Sequence, residues 1–326
     1  MFKKIFFISL IIVAVWFQID DREKKNVPLA PAPVLIINSK SELKEDKAQL
    51  PRNFRTSEEA KKLKENDLPS TKGMQDLNII GSAQFSDKQM QLVLKHLPPL
   101  ASIYVVDLRQ EWHGFLNGVP VTWYGIQNAS NRGKLVKQIE QEEWLELRKL
   151  KEKKDILLFK IVEKDKLGQA LPETVAIPFQ VQNCATEEQL AAKYNLHYIR
   201  IPVGDASKPE ALEVEKFVHF FDTLPPNSWI YFHCAAGRGR TTSFMAMYDM
   251  LKNSSRVSFE DIIKRQHLIG GSNLANYGSK NSWKYQLAVE RYQFLKQFYD
   301  YTLARKKQAG EKHPTLTWSA FLQKPK

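Results

Sequence analysis

The stretch "SWIYFHCAAGRGRTTSFMAMYDMLKN" covers residues 228–253. It reads as a strand, a loop bearing two glycines, and a helix. Gly237 and Gly239 remove side chains where the backbone must curl. Successive N–H groups then turn inward and the helix adds the positive end of its dipole. This is a cradle for a phosphate, formed by the backbone of Ala235, Ala236, Gly237, Arg238 and Gly239. It is not a Walker A loop, because no Gly-Lys-Ser/Thr follows at that spacing.

The field that holds a phosphate dianion also favours a thiolate, so Cys234 at the mouth of the loop is the candidate nucleophile. Arg240 closes the loop. Its planar fork suits two equatorial oxygens of a transferring phosphoryl group better than a lysine would. The chemistry that follows is in-line displacement with electrostatic clamping. The Thr241 hydroxyl is placed to hydrogen-bond the thiolate and ease its departure from a phospho-cysteine. His233 is expected to orient the loop rather than act as a base, since it faces away from Cys234 on the strand. The bland alternative is a buried structural Cys beside a coincidental Arg. A bare C-x5-R arises often by chance; strand-His-Cys-x5-Arg-Thr-helix with two loop glycines is much rarer.

Outward from this stretch, strands and helices alternate, which points to an α/β core. Strands are expected at 102–109, 156–162, 174–182 and 197–203, and a tight hairpin at the Asn-Gly pair in "GFLNGVPVTWYG" (114–125). Helices are expected over 85–97 with Ser86 as N-cap, 138–154, from 185 with Thr186 as N-cap, 209–224, 258–266 and 282–307.

The chain has 326 residues, a formal net charge of +12 and two cysteines. That length allows one large domain or two modest ones without staples, and two cysteines exclude a disulfide scaffold. The charge favours an anionic partner. Basic residues do not interleave with aromatics along a stripe, which argues against nucleic acid. Lys3 and Lys4 precede an apolar run from Ile5 to Phe17, too short for a full span and suited to a signal peptide. Residues 1–18 are therefore expected to direct export to the periplasm or medium, or to remain as an N-terminal membrane anchor. Residues 19–50 read as a flexible tether, residues 51–310 as the globular domain, and 311–326 as a C-terminal tail.

Further blocks carry a resemblance: "PRNFRTS" (51–57), "LNIIGSAQFS" (77–86), "VDLRQEWHGFLNGVPVTWYG" (106–125), "HYIRIPV" (197–203), "DIIKRQ" (261–266) and "GGSNL" (270–274). With H-C-x5-R-[ST] at 233–241, the chain resembles the cysteine-dependent phosphatases of the protein tyrosine phosphatase superfamily. Within them it is similar to the bacterial tyrosine-phosphatase-like phytases, over roughly 50–300. The resemblance implies a phosphatase core with a small β-rich insertion within 114–182. It implies phosphomonoester hydrolysis on myo-inositol polyphosphates, without cofactor or metal. It also implies that Asp205, in "PVGDASKPEA", is the general acid, with Asp222 and Asp249 as weaker candidates. The family often has His after that Asp, where Ala206 stands here. Arg55 resembles a substrate-binding arginine of the family; Lys208, Lys280 and Lys284 are further candidate phosphate contacts. Asp107, Arg109, Glu111 and His113 form a polar block read as ion-paired scaffolding.

Two other readings stay open. One is a phosphotyrosine or phosphoinositide phosphatase; the other is a catalytically silent phosphate-binding module. Cys184 is either a buried apolar side chain or, as in phosphoinositide phosphatases of the tensin type, a redox partner of the nucleophile. No His/Asp/Glu cluster with ligand spacing is read near the loop, so no metal site is expected.

Overall fold

The computed structural model describes residues 34–37, 49–62, 69–99, 101–160, 175–310 and 316–323. The N-terminal apolar run, most of the tether and residues 161–174, which link the strands expected at 156–162 and 174–182, lie outside them. Among the described residues no helix is long and apolar enough to cross a membrane.

Two sheets carry the structure. The first has five strands in the order β10-β4-β11-β3-β2. Its members are β2 (Arg55–Thr56), β3 (Ile79–Ala83), β4 (Ile103–Arg109), β10 (His197–Val203) and β11 (Trp229–Cys234). β10, β4, β11 and β3 run parallel, and β2 closes the edge antiparallel. Along β11 the side chains alternate. Ile230, Phe232 and Cys234 join a large core with α4 (Ala211–Thr223), α5 (Gly239–Asn253), α6 (Phe259–Leu268) and α7 (Lys284–Gly310). Trp229 and Tyr231 face the other way, onto a core shared with α1 (Asp87–Leu94) and α3 (Glu187–Lys193). α5 is buried almost all round, from Arg240 to Leu251, so the helix that follows the loop is enclosed rather than amphipathic.

The second sheet has six strands in the order β8-β7-β1-β6-β5-β9. They are β1 (Val34–Ile36), β5 (His113–Leu116), β6 (Val119–Tyr124), β7 (Asp155–Lys160), β8 (Val175–Gln180) and β9 (Cys184–Ala185). The expected Asn-Gly hairpin joins β5 and β6, with φ of 51° at Asn117 and 79° at Gly118, the positive pair that a two-residue turn requires. The helices α1 and α3 start at Ser86 and Thr186, each closing a capping box with the glutamine three residues on.

Three boundaries change. Val34–Ile36 falls in the stretch read as tether, yet pairs with β6 and β7 in mid-sheet; its run of apolar side chains suits a central strand. The insertion is not confined to 114–182, because β1 and β9 complete its sheet. The insertion is β-rich as expected, and α2 (Val136–Lys153) packs on its sheet through Leu147. The expected tail contains α8 (Trp318–Leu322), and Trp318 sits at 3 % exposure among Phe294, Phe298 and Tyr301.

Candidate active site

The loop after β11 lies at the parallel strands' C-terminal ends, where α/β sheets place ligands. Gly237 has φ of +66°, and a Cβ there would lie 2.2 Å from the Ala83 backbone nitrogen. Only glycine lets the loop pack against β3. From the β2 side, Asn53 Nδ2 donates to the Ala236 carbonyl at 2.7 Å.

Cys234 stands at the loop's start, and the Thr241 hydroxyl donates to its Sγ at 3.2 Å. Arg240 is 2 % exposed and held from behind. Its two terminal nitrogens donate to the two oxygens of Glu111 at 2.7 and 2.9 Å, and one also reaches the Val203 carbonyl at 3.0 Å. Burial pushes the Glu111 carboxyl up, but Arg240 and Arg109 outweigh it and hold it well below the usual range. Reciprocally, burial works against the Arg240 charge, while Glu111 and Asp205 raise its pKa.

The network runs on to the other end of the loop. Arg109 Nε meets Glu111 at 3.0 Å and its Nη1 donates to Gln84 Oε1 at 2.7 Å. Gln84 Nε2 donates to Glu187 at 2.8 Å, and Glu187 contacts His233 Nε2. His233 thus points away from Cys234, toward the scaffold. The polar block 107–113 is built into the same scaffold. His113 sits 3.3 Å from both Asp107 and Glu187, and Arg200 brackets Glu143 with 3.1 Å contacts. Burial and Arg109 push the His113 pKa down, but Asp107 and Glu143 carry it up to about 9.

A cluster near the loop was not expected, and here the reading is corrected. Asp107, Glu187 and His233 bring potential ligand atoms within 4.8 Å of one another. Their spacing of 107, 187 and 233 follows no local motif. Asp107 is already bonded by Tyr198, by the Arg109 amide and by Arg200. Four carboxylates here (Asp107, Glu111, Glu143, Glu187) face three guanidinium groups (Arg109, Arg200, Arg240), and one proton on His113 balances the charge. A divalent ion would overshoot that balance.

In front of the loop opens a cavity of about 890 Å³. Cys234, Ala235, Ala236, Arg238, Gly239 and Arg240 form its floor. Asp205 is the only carboxylate among the described residues that line it. Its Oδ1 lies 3.2 Å from Arg240 and accepts the Ala206 N–H at 3.0 Å. Its Oδ2 accepts from Asn128 at 3.1 Å. Asp222 pairs with Arg305 and Asp249 with Arg265, both away from the cavity.

Of the other candidates, Lys284 lines the cavity, with its Nζ 5.1 Å from the Trp283 ring. Arg55 does not. It is 2 % exposed and donates to the Gly237 carbonyl at 2.8 Å and to Thr242 at 3.0 Å. It braces the loop from beneath, because β2 turns it inward. Burial lowers its pKa to about 10, opposed by the Cys234 charge. Lys208 sits outside the cavity, paired with Glu210 at 3.3 Å, and Lys280 is exposed off its wall. Cys184 stands on the other sheet from Cys234. β9 pairs with β5 of the other sheet, so Cys184 packs there near Leu116 while Cys234 belongs to β11; both thiols are free.

The sequence reading missed Arg52, Asn128, His267 and Arg291 on the cavity wall. Arg291 donates to the Ala206 carbonyl at 3.0 Å, tying α7 to the Asp205 loop. Nothing local distinguishes it from the other cations of that helix. Asn128 follows the quoted block 106–125 by three residues, and that adjacency was the available signal.

A family model for PTP-like phytases, described by inositol hexakisphosphate, matches residues 106–252. The effector protein hopD2 of Pseudomonas syringae pv. tomato is 28% identical over 273 residues, 83% of this chain and 56% of that protein. The PTP-like myo-inositol phosphatase of Mitsuokella multacida, solved with myo-inositol-(1,3,4,5)-tetrakisphosphate, superposes with TM-score 0.75 at 34% identity. The match covers 87% of this chain and 47% of that one. The chain thus spans about half the length of these two relatives. A PTP-like phytase of Bdellovibrio bacteriovorus superposes with TM-score 0.64 at 30% identity, over 90% of this chain and 98% of that one. With nearly the whole of that protein matched, and with the loop, arginine and carboxylate assembled as above, this chain belongs to the PTP-like phytases.

Proposed function

We propose that the protein is a phosphomonoesterase that hydrolyses myo-inositol polyphosphates through a phospho-cysteine. One observation carries the reading. Cys234 and Asp205, the one carboxylate among the described lining residues, open into a broad cavity that also holds Arg52, Arg238, Lys284 and Arg291. A polyanion larger than one phosphate suits such a wall. The inositol tetrakisphosphate in the Mitsuokella protein supports the same substrate class.

Cys234 Sγ attacks phosphorus in line with the ester oxygen. The P–O bond breaks, and the Asp205 carboxyl gives its proton to the departing oxygen. Arg240 and the loop N–H groups hold the equatorial oxygens as charge spreads over them. Asp205, now a carboxylate, takes a proton from water. That water attacks the phospho-cysteine, the S–P bond breaks, and Thr241 receives the thiolate with its hydroxyl. Export fits the basic flank and apolar run at 3–17. Retention of that run would instead anchor the enzyme to a membrane.

The test measures phosphate release from phytate beside a phosphotyrosine peptide, with wild type and Cys234→Ser. Preferential release from phytate, absent in the serine variant, is expected, because a serine hydroxyl is far too weak an acid to replace the thiolate. Preference for the peptide, or an active serine variant, would overturn the reading.

A further inference from the structure

We propose that Asn128 is the positioning residue of the general acid: it fixes the Asp205 carboxyl so that Oδ1 faces the phosphoryl group. The inference rests on the phosphatase reading above.

Asp205 sits on a loop with its side chain 29 % exposed. A carboxyl in that position rotates unless it is held, and its two oxygens are chemically equal. The structure makes them unequal. Oδ1 faces Arg240 at 3.2 Å, on the phosphate side. Oδ2 accepts the Asn128 amide at 3.1 Å. An ionised carboxylate only accepts, so the Asn128 nitrogen is the atom turned toward it. Oδ1 in turn accepts the Ala206 N–H at 3.0 Å, so two N–H groups, one on each oxygen, fix the plane of the carboxyl beside Arg240.

Asn128 is built for this. It is 7 % exposed, yet it lines the cavity. It comes from the short turn after β6, in the six-stranded sheet, and so reaches Asp205 from the opposite sheet. Gln127 and Asn128 both have φ of 56°. That left-handed conformation is one that Asn tolerates and Gln does not favour. Two such residues in succession are a local strain of the kind found where a side chain must be aimed. Arg291 grips the same loop from α7 through the Ala206 carbonyl, and among the described residues Asn128 is the one that donates to Oδ2.

The experiment uses the full chain with Asn128→Ala, Asp205→Asn and the double variant. Substrates are an alkyl phosphate with a poor leaving group (2-glycerophosphate), an activated aryl phosphate (p-nitrophenyl phosphate), and phytate. Asn128→Ala is expected to lower kcat on the alkyl ester about 10-fold, part of the usual range for general-acid loss, with KM unchanged and the aryl ester nearly unaffected. In the Asp205→Asn background it should cost nothing further, since residues acting as one unit are not additive. Asn128→Asp keeps the size but sets a like charge against Asp205, and should lose more than Asn128→Ala on the alkyl ester. Equal losses on both esters, a rise in KM alone, full additivity, or an Asp variant as good as wild type would overturn the proposal. Phytate judges a separate point. Failure to hydrolyse it, with the leaving-group pattern intact, would reject the substrate reading and leave Asn128 its role.

Discussion

The two sides of the loop are built on opposite plans. Behind it, Glu111, Arg109, Gln84, Glu187 and His233 are at most 3 % exposed and joined in one chain of polar contacts from Arg240 to the base of the loop. In front, Arg238 and Lys284 are exposed and Asp205 is partly so. The back holds the phosphate cradle in a fixed shape, so little reorganisation is needed when charge develops. The front leaves its cations free to meet whichever phosphates surround the reacting one. Fixed chemistry and adaptable recognition thus meet at a single surface, with Asp205 on the border between them.

The front is broken most sharply at Asp205. Asp205→Asn is expected to slow alkyl phosphate esters by about 10²–10⁴-fold and an activated aryl ester far less. Steady-state kcat on the two esters checks this, and equal losses would make Asp205 a structural residue.

The back should answer differently. Glu111→Gln leaves Arg240 and Arg109 short of a buried counter-charge, a change that typically costs about 3–5 kcal/mol of stability. Urea denaturation should show that loss, with turnover falling on alkyl and aryl esters alike because the phosphate clamp itself is loosened. A variant as stable as wild type would mean that the network does not hold the loop.

The pH dependence of stability sharpens the comparison further. The His113 pKa is raised from 6.5 to about 9, so its contribution is complete below 6.5 and is lost as pH rises through 9. For Glu187, burial raises the pKa, but His233 and other contacts outweigh it and lower it from 4.5 to about 2. Its contribution is present above 4.5 and is lost as pH falls toward 2. Urea midpoints across pH 5–10 should fall on the alkaline side, and His113→Gln should flatten that fall. An unchanged alkaline slope in the variant would assign it to other groups. The smallest effect is expected from chelation. Since protons already balance the buried cluster, dialysis against a chelator should leave turnover unchanged. Loss restored by added metal would contradict this.

The back and front also differed in how far they could be read from sequence. Strand β11, the glycine loop and α5 are contiguous, so Cys234, Arg240 and Thr241 were legible as one local unit. The block 107–113 was legible as scaffolding because a strand end crowded with charges must pair them. What was not legible is long-range. Arg55 turns inward only because β2 pairs antiparallel with β3. Val34–Ile36 becomes a strand only because β6 and β7 leave a gap for it. Cys184 belongs to the second sheet because β9 finds β5. Asn128 reaches Asp205 and Arg291 reaches Ala206 from separate elements, 77 and 85 residues away. No local pattern encodes those meetings.

The most direct test of the account is to trap the covalent intermediate. Wild type is mixed with phytate, quenched in acid and digested, and the peptide bearing Cys234 is weighed by mass spectrometry. The account predicts the mass of one phosphoryl group on Cys234, absent from Cys234→Ser and from enzyme without substrate. Turnover of phytate with no phosphoryl group on Cys234, or with one on another residue, would contradict it.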